Sequence, residues 1–515
     1  MATNYISKKL SLFLAEQFIE SFFEPEPTSI GYVFIGKHNS YTPTDSPEEI
    51  EESSKTELQL WRNMIAAKKI TGADINMVIR SKLWTSRVFD QYDDEQLYTS
   101  LDDFYITRLL AGVYRVYKCL FNNNGALSTT IPSGTGVGTN GIIVNPDGYI
   151  WKYMFSAPAN KFVSSNYIPV PLNNKGTNQS VYAITPNTTV DGAIYAIKII
   201  NAGSGYANTV RTPVAAASAT NTLTLNSTAD VIQGMFVSGN NIISGTFVDA
   251  ILAANQIRLS QNTSAAIPSS LNDLTFSTRI VITGDGTGAT VGNFTRNVST
   301  NAFTTISLNN YGSNYSYANT IIYGRGSGAI LRPVVGPKFG HGSYPARELA
   351  ANSVMISTIF GKGDASEGGK ISTDSSTFRQ VGFLRDPHKY GSTEQLNSFT
   401  SNNIVSQAYS VSVVPGTTYT LNSMVYQGTN ATTNFVFRGR VYDQTATIVR
   451  LTQVEGNLQI GQALKQSDDS VSRIALNIQY PELEPLTGDI LYAENSSAVT
   501  RSPSQAENIR FIINF

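Results

Sequence analysis

The side chains that could do chemistry are few and scattered. The three histidines, His38, His341 and His388, lie far apart and show no i, i+4 or paired spacing, so nothing in the chain order brings imidazoles onto one metal ion or beside one reacting proton. The single cysteine, Cys119, sits in a β-rich run with no nearby histidine to activate it, and reads as a small buried hydrophobe. Glycoside cleavage needs two carboxylates flanking one bond. Asp285, Asp364, Glu367 and Asp374 lie in glycine-rich turns, where carboxylates are more often solvated. No Gly-x-Ser-x-Gly elbow and no Asp-x-Asp-x-Asp-Gly calcium loop occurs.

Glycine-rich loops are the remaining chemical candidates. Ser133 to Gly141 contains a Gly-x-Gly-x-x-Gly match, but a dinucleotide fingerprint needs a helix after it, and here Ile142-Ile143-Val144 and a turn follow. GDGTGA (Gly284 to Ala289) and GRGSGA (Gly324 to Ala329) lack the Lys-Ser/Thr and the helix of a phosphate-cradling loop. All three read as turns between strands. No catalytic, cofactor-binding or metal site is expected, and no small-molecule substrate.

Composition narrows the field further. Over 515 residues only 15% are charged and the formal net charge is −1, so binding driven by phosphate neutralisation is disfavoured and no nucleic-acid partner is expected. Lys8-Lys9 followed by Leu10 to Ala15 faintly mimics a secretory signal, but Glu16 and Glu20 interrupt it. No run approaches the roughly 20 apolar residues of a membrane span. One cysteine cannot form an internal disulfide, which fits a reducing cytoplasm. The expectation is a soluble protein made inside a cell, with no membrane partner.

The elements follow from periodicity. In Asp147 to Phe155, Tyr149, Trp151, Tyr153 and Phe155 alternate with Ile150, Lys152 and Met154, the two-residue period of a strand, behind the tight turn Asn145-Pro146-Asp147-Gly148. Val113 to Leu120 is β-rich by the same test. Leu10 to Phe23 has helical spacing. Asp45-Ser46-Pro47-Glu48-Glu49 reads as a helix start, with Leu58, Trp61 and Ile65 on one face and Lys68-Lys69 at its C-terminus. Ile490-Leu491-Tyr492 and Ile509 to Phe515 read as strands that sew the chain end into a sheet. Trp61, Trp84, Tyr149, Trp151, Tyr153, Phe155, Tyr492 and Phe511 are expected in the core.

Beyond Pro171 a repeat emerges. IKIINAGSGYANTV (Ile197 to Val210) matches ISLNNYGSNYSYANTI (Ile306 to Ile321) if two residues are inserted in the second. The second copy runs straight on into GRGSGA, whereas the first reaches GDGTGA only after Arg211 to Thr278, which has its own strand pattern. The economical reading is a repeated β unit whose first copy is split by a nested minidomain. Tyr206, Tyr311, Tyr315, Tyr317 and Tyr323 in this region could stack on sugars if exposed, although packing is the commoner role of such tyrosines.

Several blocks, in one order, carry a family resemblance: FIGKHNSY (Phe34 to Tyr41), LWRNMIAAKKITGADINMVIRSKLWTSRVFDQYDD (Leu60 to Asp94), VYKCLFNNNG, DGYIWKYMF and NYIPVP (Val116 to Pro171), FRQVGFLRDP (Phe378 to Pro387), and the closing segment from Gly488 to Phe515. Together they resemble the baseplate wedge subunit that pairs as a dimer in the tails of T-even and related contractile-tailed bacteriophages. The resemblance implies a mainly β, multi-domain protein with a few N-terminal helices. In it a β-sandwich scaffold from residues 1–171, 341–396 and 480–515 carries inserted small β domains at 172–340 and 397–479. It also implies a homodimer that holds other baseplate wedge proteins together, located in the virion tail and assembled in the host cytoplasm. A glycan-binding tail-fibre module is the alternative, and a polysaccharide-degrading tail enzyme the third reading.

Overall fold

The computed structural model describes residues 8–22, 30–96, 103–136, 138–172, 189–214, 219–267, 273–361, 371, 377–393, 404–501 and 505–515. Strands dominate, as expected, with short helices near the N-terminus and at Pro345–Glu348.

Two sheets are built from strands far apart in sequence. A five-stranded sheet runs Ile404–Ser406, Met64–Lys69, Gly31–Gly36, Thr377–Arg385, Asp489–Thr500, and a four-stranded one runs Glu507–Asn514, Ser353–Phe360, Ile75–Arg80, Tyr167–Pro169. Tyr32 is opposite Leu384, Phe383 opposite Tyr492, and Met355 opposite both Asn76 and Ile512. Val33, Ile35, Met77, Ile79, Val354, Ile356, Phe383 and Phe511 share one core. The strand Gly31–Gly36 is buried along its whole length, because Tyr32, Phe34, Trp61 and Leu384 fill a second core on its other face. The helix Lys8–Glu20 adds Leu12, Ala15 and Ile19 to the main core and leaves Phe13 and Leu14 exposed.

The second helix departs from the sequence expectation. It spans Ser54–Asn63, with Ser53 as its cap accepting the Thr56 N–H at 3.1 Å. Asp45 cannot start it, because its φ is +50° and its carboxylate is held by Nε and Nη2 of Arg379, each at 2.8 Å, and by the Tyr41 N–H at 3.0 Å. Ile65, Lys68 and Lys69 belong to a strand, since pairing on both sides with Gly31–Gly36 and Ile404–Ser406 outweighs helical spacing.

A third sheet, Tyr105–Leu110, Val113–Phe121, Ile150–Pro158, Ile142–Val144, holds the aromatics. Tyr149, Trp151 and Tyr153 share a core with Phe89, Tyr117 and Cys119, and Trp151 is 0% exposed. Phe155 is buried but does not continue their row. Val116 pairs with Phe155 and Tyr117 with Tyr153, so Met154 is an extra residue in a bulge. A bulge shifts the alternation by one, and Met154 and Phe155 both enter the main core. Trp84 is half-buried at the edge of the aromatic cluster, its Nε1–H reaching Ser128 Oγ at 3.4 Å. Tyr492 corrects the core expectation outright. It lies on the outermost strand of the five-stranded sheet beside a bulge at Leu491, and is 46% exposed.

Among the described residues from Ile194 to Val335, the ladders outside the nested segment all join the two repeat copies: Ile194–Ser204 with Ser327–Val335, Arg279–Gly284 with Ala318–Tyr323, and Thr287–Arg296 with Phe303–Ser313. The halves are therefore swapped. Tyr206 hydroxyl accepts the Ala329 N–H and Tyr315 hydroxyl accepts the Ala289 N–H, each at 3.3 Å. Tyr315, not Tyr317, is thus the counterpart of Tyr206, and the two inserted residues of the second copy, Ser316 and Tyr317, follow it. Gly203 and Gly312 take matching φ values of +61° and +62°, a conformation an L side chain resists. Leu223, Met235, Ile257, Phe276 and their neighbours form a separate core whose buried members all lie between Leu223 and Phe276. Farther on, strands from Tyr409–Val413 to Ser472–Gln479 close a barrel with a core of its own.

Candidate functional site: a buried ionic centre beneath the aromatic sheet

Lys118 and Lys152 stand directly opposite each other on the paired strands Val113–Phe121 and Ile150–Pro158. Each is the charged residue of a run of apolar and aromatic side chains, Val116 to Phe121 and Ile150 to Phe155, so the packing that buries its neighbours buries it too, leaving 0% and 1% exposed. Like charges directly opposite repel, and taking each from water costs several kcal/mol.

The chain from His341 to Glu348 compensates for this. Lys118 Nζ donates to Glu348 Oε2 at 3.1 Å, and Glu348 Oε1 accepts the N–H groups of Gly342 at 2.7 Å and Tyr344 at 3.3 Å. His341 Nδ1 lies 3.2 Å from Lys118 Nζ and 3.3 Å from Glu348 Oε2. Lys118 also sits 4.4 Å over the Tyr92 ring, whose edge-on partner is His341. Lys152 Nζ donates to the Asn140 carbonyl at the end of the glycine-rich loop. That loop therefore presents a carbonyl to a cation, the reverse of a phosphate cradle.

Burial pushes the Lys152 ammonium down to about 8, against the upward pull of Glu348. Burial and the charge of Lys118 push the His341 imidazole down to about 4. For Glu348 burial acts to raise the carboxyl, and Lys118 with His341 outweighs it, holding it below its ordinary value. At neutral pH the centre is a carboxylate between ammonium groups with a neutral imidazole. Glu348 and His341 are each 3% exposed, so these groups act on one another and their effect is to fasten the aromatic sheet to the chain that leaves the repeat region.

Two further joints are ionic or cationic. Arg332 meets Asp93 and Asp94, each at 2.5 Å, and Lys198 meets Asp93 at 2.7 Å, tying the repeat unit to the segment before the aromatic sheet. Arg279 lies 3.9 Å over Phe247 and 4.9 Å over Tyr323, with Nε donating to Gly234 O at 2.8 Å, where the nested core meets the repeat.

The residues singled out by sequence disperse. His38 is buried, with Nδ1 2.9 Å from Thr377 O, and burial lowers its pKa. His388 lies between strands with its N–H donated to Thr487. Burial raises the Cys119 thiol well above its ordinary value. Asp285 is held down to about 2 by the Ser316 hydroxyl and the Ser316 and Tyr317 N–H groups, which makes it a hairpin clasp. Asp364, Glu367 and Asp374 fall outside the described residues. Among the described residues no group of three or more His, Cys, Asp or Glu could hold a metal ion, and no helix is long and apolar enough to cross a membrane. Of the tyrosines proposed to stack on sugars, Tyr206 and Tyr315 are buried and Tyr317 is 58% exposed. Sequence reasoning missed Lys118, Lys152 and Glu348. The available signal was a lysine in the middle of each of two apolar strands. No family model matches the chain, and no curated protein matches it.

Proposed function

We propose that the protein is a structural subunit of a phage tail baseplate wedge, working through protein–protein interfaces in tail assembly and in the rearrangement before sheath contraction. It is read as non-enzymatic, as a homodimer and as a partner of other wedge proteins in the virion. One observation carries the reading. The blocks that resemble the wedge family are scattered over the chain, yet those from Phe34 to Tyr41, Leu60 to Asp94, Phe378 to Pro387 and Gly488 to Phe515 contribute strands to two sheets with a common core. A second support is the ionic centre, which fastens elements together and offers no exposed reacting group.

The test is placement in an intact virion. A cryo-EM map of the phage should locate this chain in a ring around the tail hub, at the end of the tail distal to the head. Density for it in a fibre extending from the tail would favour the glycan-binding alternative and overturn the proposal.

A further inference from the structure

The outermost strand of the five-stranded sheet, Asp489–Thr500, ends that sheet, and among the described residues no strand pairs with its other edge. Alongside Asp489–Ala493 runs a cleft of about 710 Å³, walled opposite by Ile50 to Ser54, Thr56, Glu57 and Leu60. An open edge offers unpaired N–H and C=O groups to any extended chain that can reach it. The bulge at Leu491 turns two consecutive side chains outward, Leu491 at 49% and Tyr492 at 46% exposed. Those are anchors, set at the edge and not in the core where sequence would put Tyr492.

Charge selects the occupant. Glu51, Glu52 and Glu57 line the cleft, Asp489 beside them is paired with Arg385 at 2.6 Å, and no lysine or arginine is among the lining residues. Farther along the same strand Asn495 Nδ2 donates to the Glu48 carbonyl at 2.9 Å, so the cleft has a closed end there. A second copy of this edge would bring carboxylates onto carboxylates, which costs free energy. We propose that this cleft receives an extended segment of a partner protein in which apolar residues alternate with lysine or arginine, added as a further strand on Asp489–Ala493. The apolar side chains of the segment meet Leu491 and Tyr492, and its cations meet the glutamates of the opposite wall.

The test uses the full chain and synthetic heptapeptides alternating valine with lysine, valine with glutamate, and serine with lysine. The valine–lysine peptide is expected to bind, to slow amide hydrogen exchange across Asp489–Glu494, and to weaken by about tenfold or more as ionic strength rises past the point where exposed charges are screened. Glu51→Lys with Glu52→Lys, and separately Leu491→Ser, should each weaken it by about tenfold. All three residues are exposed, so the variants keep the fold, which unchanged thermal melting verifies. Equal binding of the valine–glutamate peptide, protection confined to another strand, affinity unchanged in both variants, or no binding at all would overturn the proposal. Equal binding of the serine–lysine peptide would overturn it as well, by showing charge attraction without strand addition.

Discussion

The sheets made from the chain's distant segments and the swapped repeat solve one problem, closing a β structure, with different chemistry. In the former, partners hundreds of residues apart, such as Phe34 with Gly382, are held by large buried side chains, and the aromatic sheet beside them is fastened to Glu348 and His341 by Lys118. In the latter, Tyr206 and Tyr315 close two equivalent corners through one N–H each, against glycines that admit the ring. Long-range closure must offset more chain entropy and leans on a few concentrated sites. Duplicated closure, with corners spanning 26 and 123 residues, spreads the same work over two weak ones.

Breaking the concentrated sites should therefore cost most. Glu348→Gln leaves the Lys118 ammonium buried without its carboxylate, and unfolding by urea should show a loss of about 3 to 5 kcal/mol. Trp151→Ala opens a cavity in the aromatic core and should lose a similar amount, about 3 to 5 kcal/mol, with little soluble protein recovered.

Acid sharpens the contrast. His341 titrates at about 4 in the folded chain and near the ordinary 6.5 when unfolded. In that window the unfolded chain binds the extra proton, so stability falls as pH drops from about 6.5 to 4, by roughly 3 kcal/mol in all. His341→Gln should flatten that part of a urea-midpoint profile, to which the barrel and the repeat, which contain no histidine, add no imidazole slope.

In the repeat, the prediction is equality. A Cβ at Gly203 would come within 2.5 Å of Ala329 N, and one at Gly312 within 2.5 Å of Ala289 N. Gly203→Ala and Gly312→Ala should each cost about 1 to 3 kcal/mol, alike to within error by thermal melting. The smallest effect belongs to Tyr206→Phe and Tyr315→Phe, about 1 kcal/mol each. A marked difference between the members of either pair would show that the interruption after Val210 has altered one corner.

What could be read from the chain alone follows the same division. Repeat and nested core were visible because their determinants are local: glycine, tyrosine and a short apolar alternation recur in order. The aromatic strand was visible for the same reason, but its bulge at Met154 was not, since the register is set by Val116 and Tyr117 on another strand. Asp45 looked like a helix cap because its competitor, Arg379, lies 334 residues away. Glu348 gave no sign of its role because the cation it meets, Lys118, lies 230 residues away on the aromatic sheet. Tyr492 had core composition, and only the order of strands, which periodicity does not encode, puts it outside.

Because each of the three ladders of the repeat unit joins one copy to the other, neither copy possesses a complete fold. A fragment carrying only Phe303 to Val335 would present three strands with nothing of its own to zip against, and would stay open until it met the complementary fragment. Covalent continuity here supplies what two separate molecules would otherwise have to find by collision.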